Sequence, residues 1–186
     1  MILVHACCAP CLSSIIDVLD EPFKVFWYNP NIQPYREYLR RLDTLEKFKK
    51  EKNFEIIYDF SYDLQHWMEN ASKLNKKSDV LRCRFCYADR LERTAKYAKE
   101  NGFDKFTSST LYSPYQKHEL IREIGNALGK KYGIEFYYRD FRDLFPRGDE
   151  IAKKYGLYRQ GYCGCIFSEF DKYSMKVKLD VHQGIE

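Results

Sequence analysis

MILVHACCAPCLSSIIDVL, residues 1–19, is the stretch on which the reading of the fold turns. Ile2–Ala6 is an apolar run of the length of a buried strand, and Leu12, Ile15, Ile16 and Leu19 then recur at helical spacing. Between them stand Cys7, Cys8 and Cys11. A strand that runs through a short loop into a helix is the first unit of an α/β sheet. Ligands of such sheets bind beyond the carboxyl ends of the strands, which is where this cysteine loop falls.

The same pattern repeats outward. Lys24–Tyr28, Phe54–Tyr58, Lys105–Ser109 and Glu135–Tyr138 read as strands, and Tyr35–Lys52, Cys86–Glu100 and His118–Lys131 as helices. In the long helix Leu39, Leu42, Leu45 and Phe48 are expected inward, and Asn29-Pro30-Asn31 stops the strand before it. Asp63–Asn70 reads as a short helix, Lys73–Ser78 as the loosest stretch, and Ser78 or Asp79 as a cap for the next helix. Strands alternating with helices predict a three-layer α/β fold, with a mostly parallel sheet of about five strands covered on both faces. Residues 1–186 are expected to form one domain, with a short helix after Asp149 and an unplaced tail over 174–186.

Composition narrows the class. With 45% hydrophobic and 31% charged residues, the chain is an ordinary globule that can bury a core without a metal staple. No apolar run approaches the ~20 residues of a membrane span, so a cytoplasmic protein is expected. Thiols stay reduced in that compartment, and seven is an odd number of cysteines. A net charge of +4 permits contact with phosphate without demanding it, and 16 Tyr could stack on unpaired bases.

Every cysteine lies in one of three groups: Cys7-Cys8-Ala9-Pro10-Cys11, Cys83-Arg84-Phe85-Cys86 and Cys163-Gly164-Cys165. Such spacings let thiolates converge on one metal or cluster. Cys11 before one helix, and Cys83 and Cys86 at the start of another, are expected to feel unsatisfied N–H groups that favour thiolate, with Arg82 and Arg84 adding to the effect or merely solvated. Seven ligands exceed the four of one structural zinc, while a redox pair of Cys8 and Cys11 would leave five unexplained. Four plus three fits a cubane beside a second metal. A zinc-stabilised RNA-binding module without catalysis and a thiol–disulfide redox protein remain the alternatives.

Five motifs carry a resemblance: CCAPC at 7–11, YNPNIQPYREYLRR at 28–41, RCRFCYADRLERTA at 82–95, FTSSTLYSPYQ at 106–116 and YRQGYCGCIFS at 158–168. Together, from Ile2 to about Tyr173, they resemble the QueH-type epoxyqueuosine reductases. Gln33 departs from the histidine common there, and Val80-Leu81 stand where glycine often precedes the Arg-Cys pair. The fold also looks like the ATP-pyrophosphatase-like nucleotide-binding superfamily, with its phosphate loop replaced by cysteines. The resemblance implies reduction of epoxyqueuosine to queuosine at the tRNA wobble base, with a [4Fe-4S] cluster, an additional mononuclear iron and an external one-electron donor. ATP, nicotinamide and cobalamin have no motif here.

On that reading Cys8, Cys11, Cys83 and Cys86 are assigned to the cluster, and Cys7, its sulfur pointing elsewhere, joins Cys163 and Cys165 on the second iron. Asp59, Asp89, Tyr115 and Tyr162 are weak candidates for a proton donor, and His5 reads as a core residue. For the anticodon stem-loop, Asn29, Asn31, Arg139, Arg142 and Arg159 are candidate contacts. Arg36, Arg40 and Arg41 with Lys47, Lys49 and Lys50 form another basic face, of a kind usually solvated.

Overall fold

Ile2–His5 (β1), Phe23–Trp27 (β2), Ile56–Tyr58 (β3), Lys105–Ser108 (β4) and Glu135–Phe136 (β5) form one sheet in the order β3-β2-β1-β4-β5. All four pairings are parallel, and in register His5 stands beside Phe26 on one side and Ser108 on the other. The computed structural model describes the backbone of residues 1–182 and the side chains of residues 1–174. The helices are Ala9–Ser13 (α1), Tyr35–Lys52 (α2), Leu64–Asn75 (α3), Asp79–Glu100 (α4), His118–Tyr132 (α5), Phe145–Lys154 (α6) and Ile166–His182 (α7). No helix among the described residues is long and apolar enough to cross a membrane.

Alternation along β1 decides the layers. Ile2 and Val4 join Val25, Leu45, Phe48 and Ala152 under α2 and α6, whereas Leu3 joins Leu91, Ala95, Phe106 and Ile121 under α4 and α5. A sheet clad on both faces explains strands with no polar side. The strand order reverses between β1 and β4, so their carboxyl ends open onto the crevice where a doubly wound sheet takes its ligand.

Several boundaries differ from the sequence reading, each for a local reason. Pro10 fits the first turn of a helix, so α1 starts at Ala9 and contains Cys11 rather than following it; Ile16–Val18 is a separate 3-10 turn. Trp67 and Ala71 are buried, which carries α3 on through Asn75 and makes Lys73 helical. Ser78 does cap α4, accepting from the Val80 amide at 3.1 Å, and starts that helix at Asp79, well before Cys86. In α2 the inward set is Tyr38, Arg41, Leu45 and Phe48, while Leu39 is 47% exposed. The tail joins α7 as far as His182, and residues 183–186 lie outside the described residues.

Candidate functional site

β1 delivers Cys7 to the crevice, and β4 delivers Ser109 opposite it. The Cys7 amide donates to Ser109 Oγ at 3.2 Å, and that hydroxyl donates to Cys7 Sγ at 3.6 Å. Cys8 is the N-cap of α1 with an extended backbone, and its sulfur stays on the same side as its neighbour's. Cys7 and Cys8 sulfurs lie 4.0 Å apart, and those of Cys7, Cys8 and Cys11 are all within 4.8 Å of one another. The expectation that Cys7 points away from Cys8 is therefore wrong. Cys7 and Cys8 lie beyond the end of β1 at His5, where adjacent side chains need not point to opposite sides.

The other four cysteines share a cleft. Cys83, Cys86, Cys163 and Cys165 line it together with Cys7, Trp67 and Arg82. Cys83 and Cys86 come from the second turn of α4, where amides are spent within the helix and the terminal partial charge has faded. Burial accordingly raises both thiols, Cys86 to about 12, against the expectation of a helix-end thiolate. The flanking arginines divide: Arg84 reaches outward to Glu123 at 2.8 Å, while Arg82 is buried beside Asn75.

Cys163 and Cys165 are set by a loop clamped to α2. Buried Arg41 donates to Glu37 at 2.7 Å, to the Cys163 carbonyl at 3.1 Å and to the Tyr162 carbonyl at 3.3 Å. Tyr158 holds the other Glu37 oxygen at 2.9 Å, and the Gln33 amide donates to the Gly164 carbonyl at 2.8 Å. Gly164 has φ +131°, and an added Cβ would lie 3.1 Å from Arg41 Nη1 and 3.2 Å from Ile32 Cγ1. Gly164→Ala is therefore expected to cost ~1–3 kcal/mol through backbone strain and to displace both thiols. A lowered Tm together with faster alkylation of Cys165 in the metal-free protein checks it.

In the first and third groups one sulfur accepts hydrogen bonds from its neighbours and is favoured as thiolate. Hydrogen bonds from Cys11 and Cys8 hold Cys7 well below the ordinary thiol range, while burial pushes Cys8 up to about 12. Likewise the Cys165 thiol lowers Cys163 to about 5 and is itself raised. Shared protons between crowded sulfurs are what a metal ion displaces. All seven cysteines are free thiols.

Four residues bring donors to these sulfurs or to the cleft beside them. Arg90, buried, donates to Cys86 Sγ at 3.4 Å. Among the described residues Trp67 Nε1 and Arg82 Nε are buried without an acceptor, although both residues line the cleft. Gln160 Nε2 donates to Cys8 Sγ at 3.1 Å. The sequence marks Arg41 only as part of a solvated basic face, and gives no role to Trp67, Arg90, Ser109 or Gln160. Arg90 was findable, since it follows Cys86 by four and Cys83 by seven and so shares their helical face.

The proposed proton donors separate in space. Burial raises Asp89, one turn beyond Cys86, and the Tyr28 hydroxyl donates to it at 3.4 Å. Asp59 feels burial too, but Ser61 and Arg93 outweigh it and lower its pKa. Tyr162 donates to the Gln33 carbonyl at 2.8 Å, and Tyr115 is 84% exposed. Among the candidate RNA contacts, Asn29 and Asn31 are buried, Asn29 donating to the Ala6 carbonyl at 2.9 Å. Arg139 donates to the Val18 carbonyl, Arg142 pairs with Asp140 and Arg159 with Asp149. His5 is a buried core residue between Ser108 Oγ and the Tyr28 carbonyl, both at 3.0 Å, and burial lowers it to about 4.

Fold and site together define a doubly wound α/β protein with a thiol-lined, cation-flanked site at its topological switch point. The family model described as epoxyqueuosine reductase QueH matches residues 2–171. Curated relatives bearing that name include a protein of Dehalococcoides mccartyi, 38% identical over 92% of this chain and 94% of its own. Another, from Thermotoga maritima, is 34% identical over 98% and 97%, and one from Acinetobacter baylyi is 36% identical over 90% and 79%. The chain belongs to the epoxyqueuosine reductase QueH family.

Proposed function

We propose that this protein reduces epoxyqueuosine to queuosine at the wobble position of tRNA, in the cytoplasm, using a [4Fe-4S] cluster, an additional iron and an external one-electron donor. The observation that carries this reading is the convergence of seven free cysteines on one switch-point crevice in a chain of this family. Residues 1–186 act as one catalytic domain without cobalamin. Kinship with the ATP-pyrophosphatase-like fold agrees with the strand order and with cysteines in place of a phosphate loop.

The donor set fits two kinds of occupant. Three sulfurs within 4.8 Å suit a single metal, since tetrahedral thiolates ~2.3 Å from a metal sit only about 4 Å apart. Cys83 and Cys86 on α4 face the Cys163–Cys165 pair across a cleft, as a cluster standing between its anchors requires. Trp67 Nε1 and Arg82 Nε, without an acceptor among the described residues, are the donors that anionic sulfur would satisfy. We therefore assign Cys7, Cys8 and Cys11 to the iron and the other four to the cluster, replacing the assignment drawn from spacing alone.

Removing the epoxide oxygen takes two electrons and two protons and releases water. When bound, the cluster and the iron would supply the electrons and a Lewis acid, which no side chain offers. Asp89 is the residue suited to give a proton, because burial keeps its carboxyl protonated to higher pH and Tyr28 fixes its orientation. Arg90 keeps the crevice cationic toward oxygen that develops charge.

Anaerobically prepared protein is expected to be brown, with about five iron and four sulfide per chain, and to convert epoxyqueuosine in tRNA when given a reductant and no cobalamin. Stoichiometric zinc without labile sulfide, or a strict cobalamin requirement, would overturn the proposal.

A further inference from the structure

We propose that the RNA strand flanking the reacting nucleotide runs through the open groove between the first two turns of α2 and the loop before Cys163, its phosphates held by Arg36 and Arg40 and a base stacked at Tyr158. The proposal rests on the tRNA reading above and adds where the nucleic acid lies.

Charge that is already spent cannot hold phosphate well, so the search is for unspent arginine. Arg139, Arg142 and Arg159 each have an acceptor, and Arg147 pairs with Asp17 at 3.0 Å. Arg84 pairs with Glu123, Arg93 with Asp59 and Arg122 with Glu119, while Arg41, Arg82 and Arg90 are buried. Arg36 and Arg40 remain. Both are exposed, and among the described residues neither donates a hydrogen bond or pairs with a carboxylate.

Topology brings these two, and not the rest of their basic face, to the site. α2 follows β2, so its first turns lie at the carboxyl end of the sheet and its last turn at the far end. Lys47 is paired with Asp43, Lys49 bonds Tyr58 and Lys52 pairs with Asp17, all further along. Arg36 and Arg40 instead line a groove with Tyr158 and Tyr162, the latter next to exposed Cys163. The Arg40 guanidinium stacks 3.6 Å from the Tyr158 ring centre, a pairing that extends a flat surface for a nucleobase. Glu37, on the groove wall, is neutralised by Arg41 and Tyr158, leaving Glu169 as the opposing charge there.

The groove is also rigidly tied to the thiols, because Tyr158 binds Glu37, Glu37 binds Arg41 and Arg41 binds the Cys163 carbonyl. RNA seated here would present its next nucleotide to the cleft, which a base must enter unstacked.

The test measures binding of a labelled anticodon stem-loop bearing epoxyqueuosine to the metal-loaded protein over a range of salt. Arg36→Ala/Arg40→Ala should weaken binding at least tenfold near 0.1 M salt. The slope of log affinity against log salt should fall by about 0.7 for each single-strand phosphate that an arginine no longer neutralises. Tm and iron content should stay at wild-type values, and Lys130→Ala, at the far end of the sheet, should change nothing. Tyr158→Leu should weaken binding without changing the slope. Wild-type affinity and slope in the double variant would overturn this path, as would weakened binding with an unchanged slope. Wild-type protein that binds no stem-loop would overturn the tRNA reading itself.

Discussion

Cys86→Ser is expected to yield protein without labile sulfide or brown colour, while Cys8→Ser keeps its sulfide and colour and loses one iron of about five. Both should lose more than the roughly 100-fold in epoxide reduction that accompanies removal of a supporting residue around a metal. The two differ because they belong to different sets. Cys8 lies 4.0 Å from Cys7 and packs with Cys11 at single-metal range, whereas Cys86 faces the cleft beside Cys83, Cys163 and Cys165. A serine oxygen in place of buried Cys86 is a poor ligand for a cluster whose other anchors come from two separate elements. Metal analysis with sulfide assay and visible absorbance reads both variants in one preparation. If Cys8→Ser strips the sulfide and Cys86→Ser spares it, the two sets are exchanged. If both keep full metal, the crevice does not hold these centres.

The fold was largely legible because its signals are local and strong. The apolar run of β1 ends at a cysteine loop, α2 shows from Tyr35 to Lys52 as read, and the strand–helix order leaves a parallel sheet as the economical outcome. Cysteine spacing likewise pointed to the seven thiols that the structure brings to the candidate site. It did not reveal their grouping, which depends on the turn that Pro10 imposes and on the point where α4 begins. The supporting residues were hidden for another reason. Arg41 sits in a helix full of basic residues, and only the tertiary fold shows that it turns inward to grip the Cys163 carbonyl while Arg36 and Arg40 stay outside. Trp67 is an ordinary apolar residue in sequence, and its significance is an indole N–H beside the cleft with no acceptor among the described residues.

Arg90→Met should cost the protein both metal and driving force, and Arg90→Lys should preserve most of each. Arg90 is 4% exposed, and no carboxylate pairs with it among the described residues. Burial opposes its charge, yet the sulfurs of Cys86 and Cys7 outweigh that and raise its pKa. On the proposed assignment it is placed as counter-charge to both thiol sets at once, since it lines the cleft with Cys7 of one and Cys86 of the other. Removing one partner of a buried charge pair typically costs ~3–5 kcal/mol, which here would appear as weaker retention of metal by thiolates that must stay ionised. A cluster that still assembles would lose a neighbouring positive charge and become harder to reduce. A shift on the order of 60 mV toward negative potential equals a tenfold loss in the one-electron equilibrium. Redox titration of the methionine and lysine variants against wild type separates charge from packing. Fully loaded Arg90→Met at the wild-type potential would show that its charge is not felt. Equal failure of the lysine and methionine variants would assign Arg90 to the fit of its guanidinium against Cys86 rather than to electrostatics.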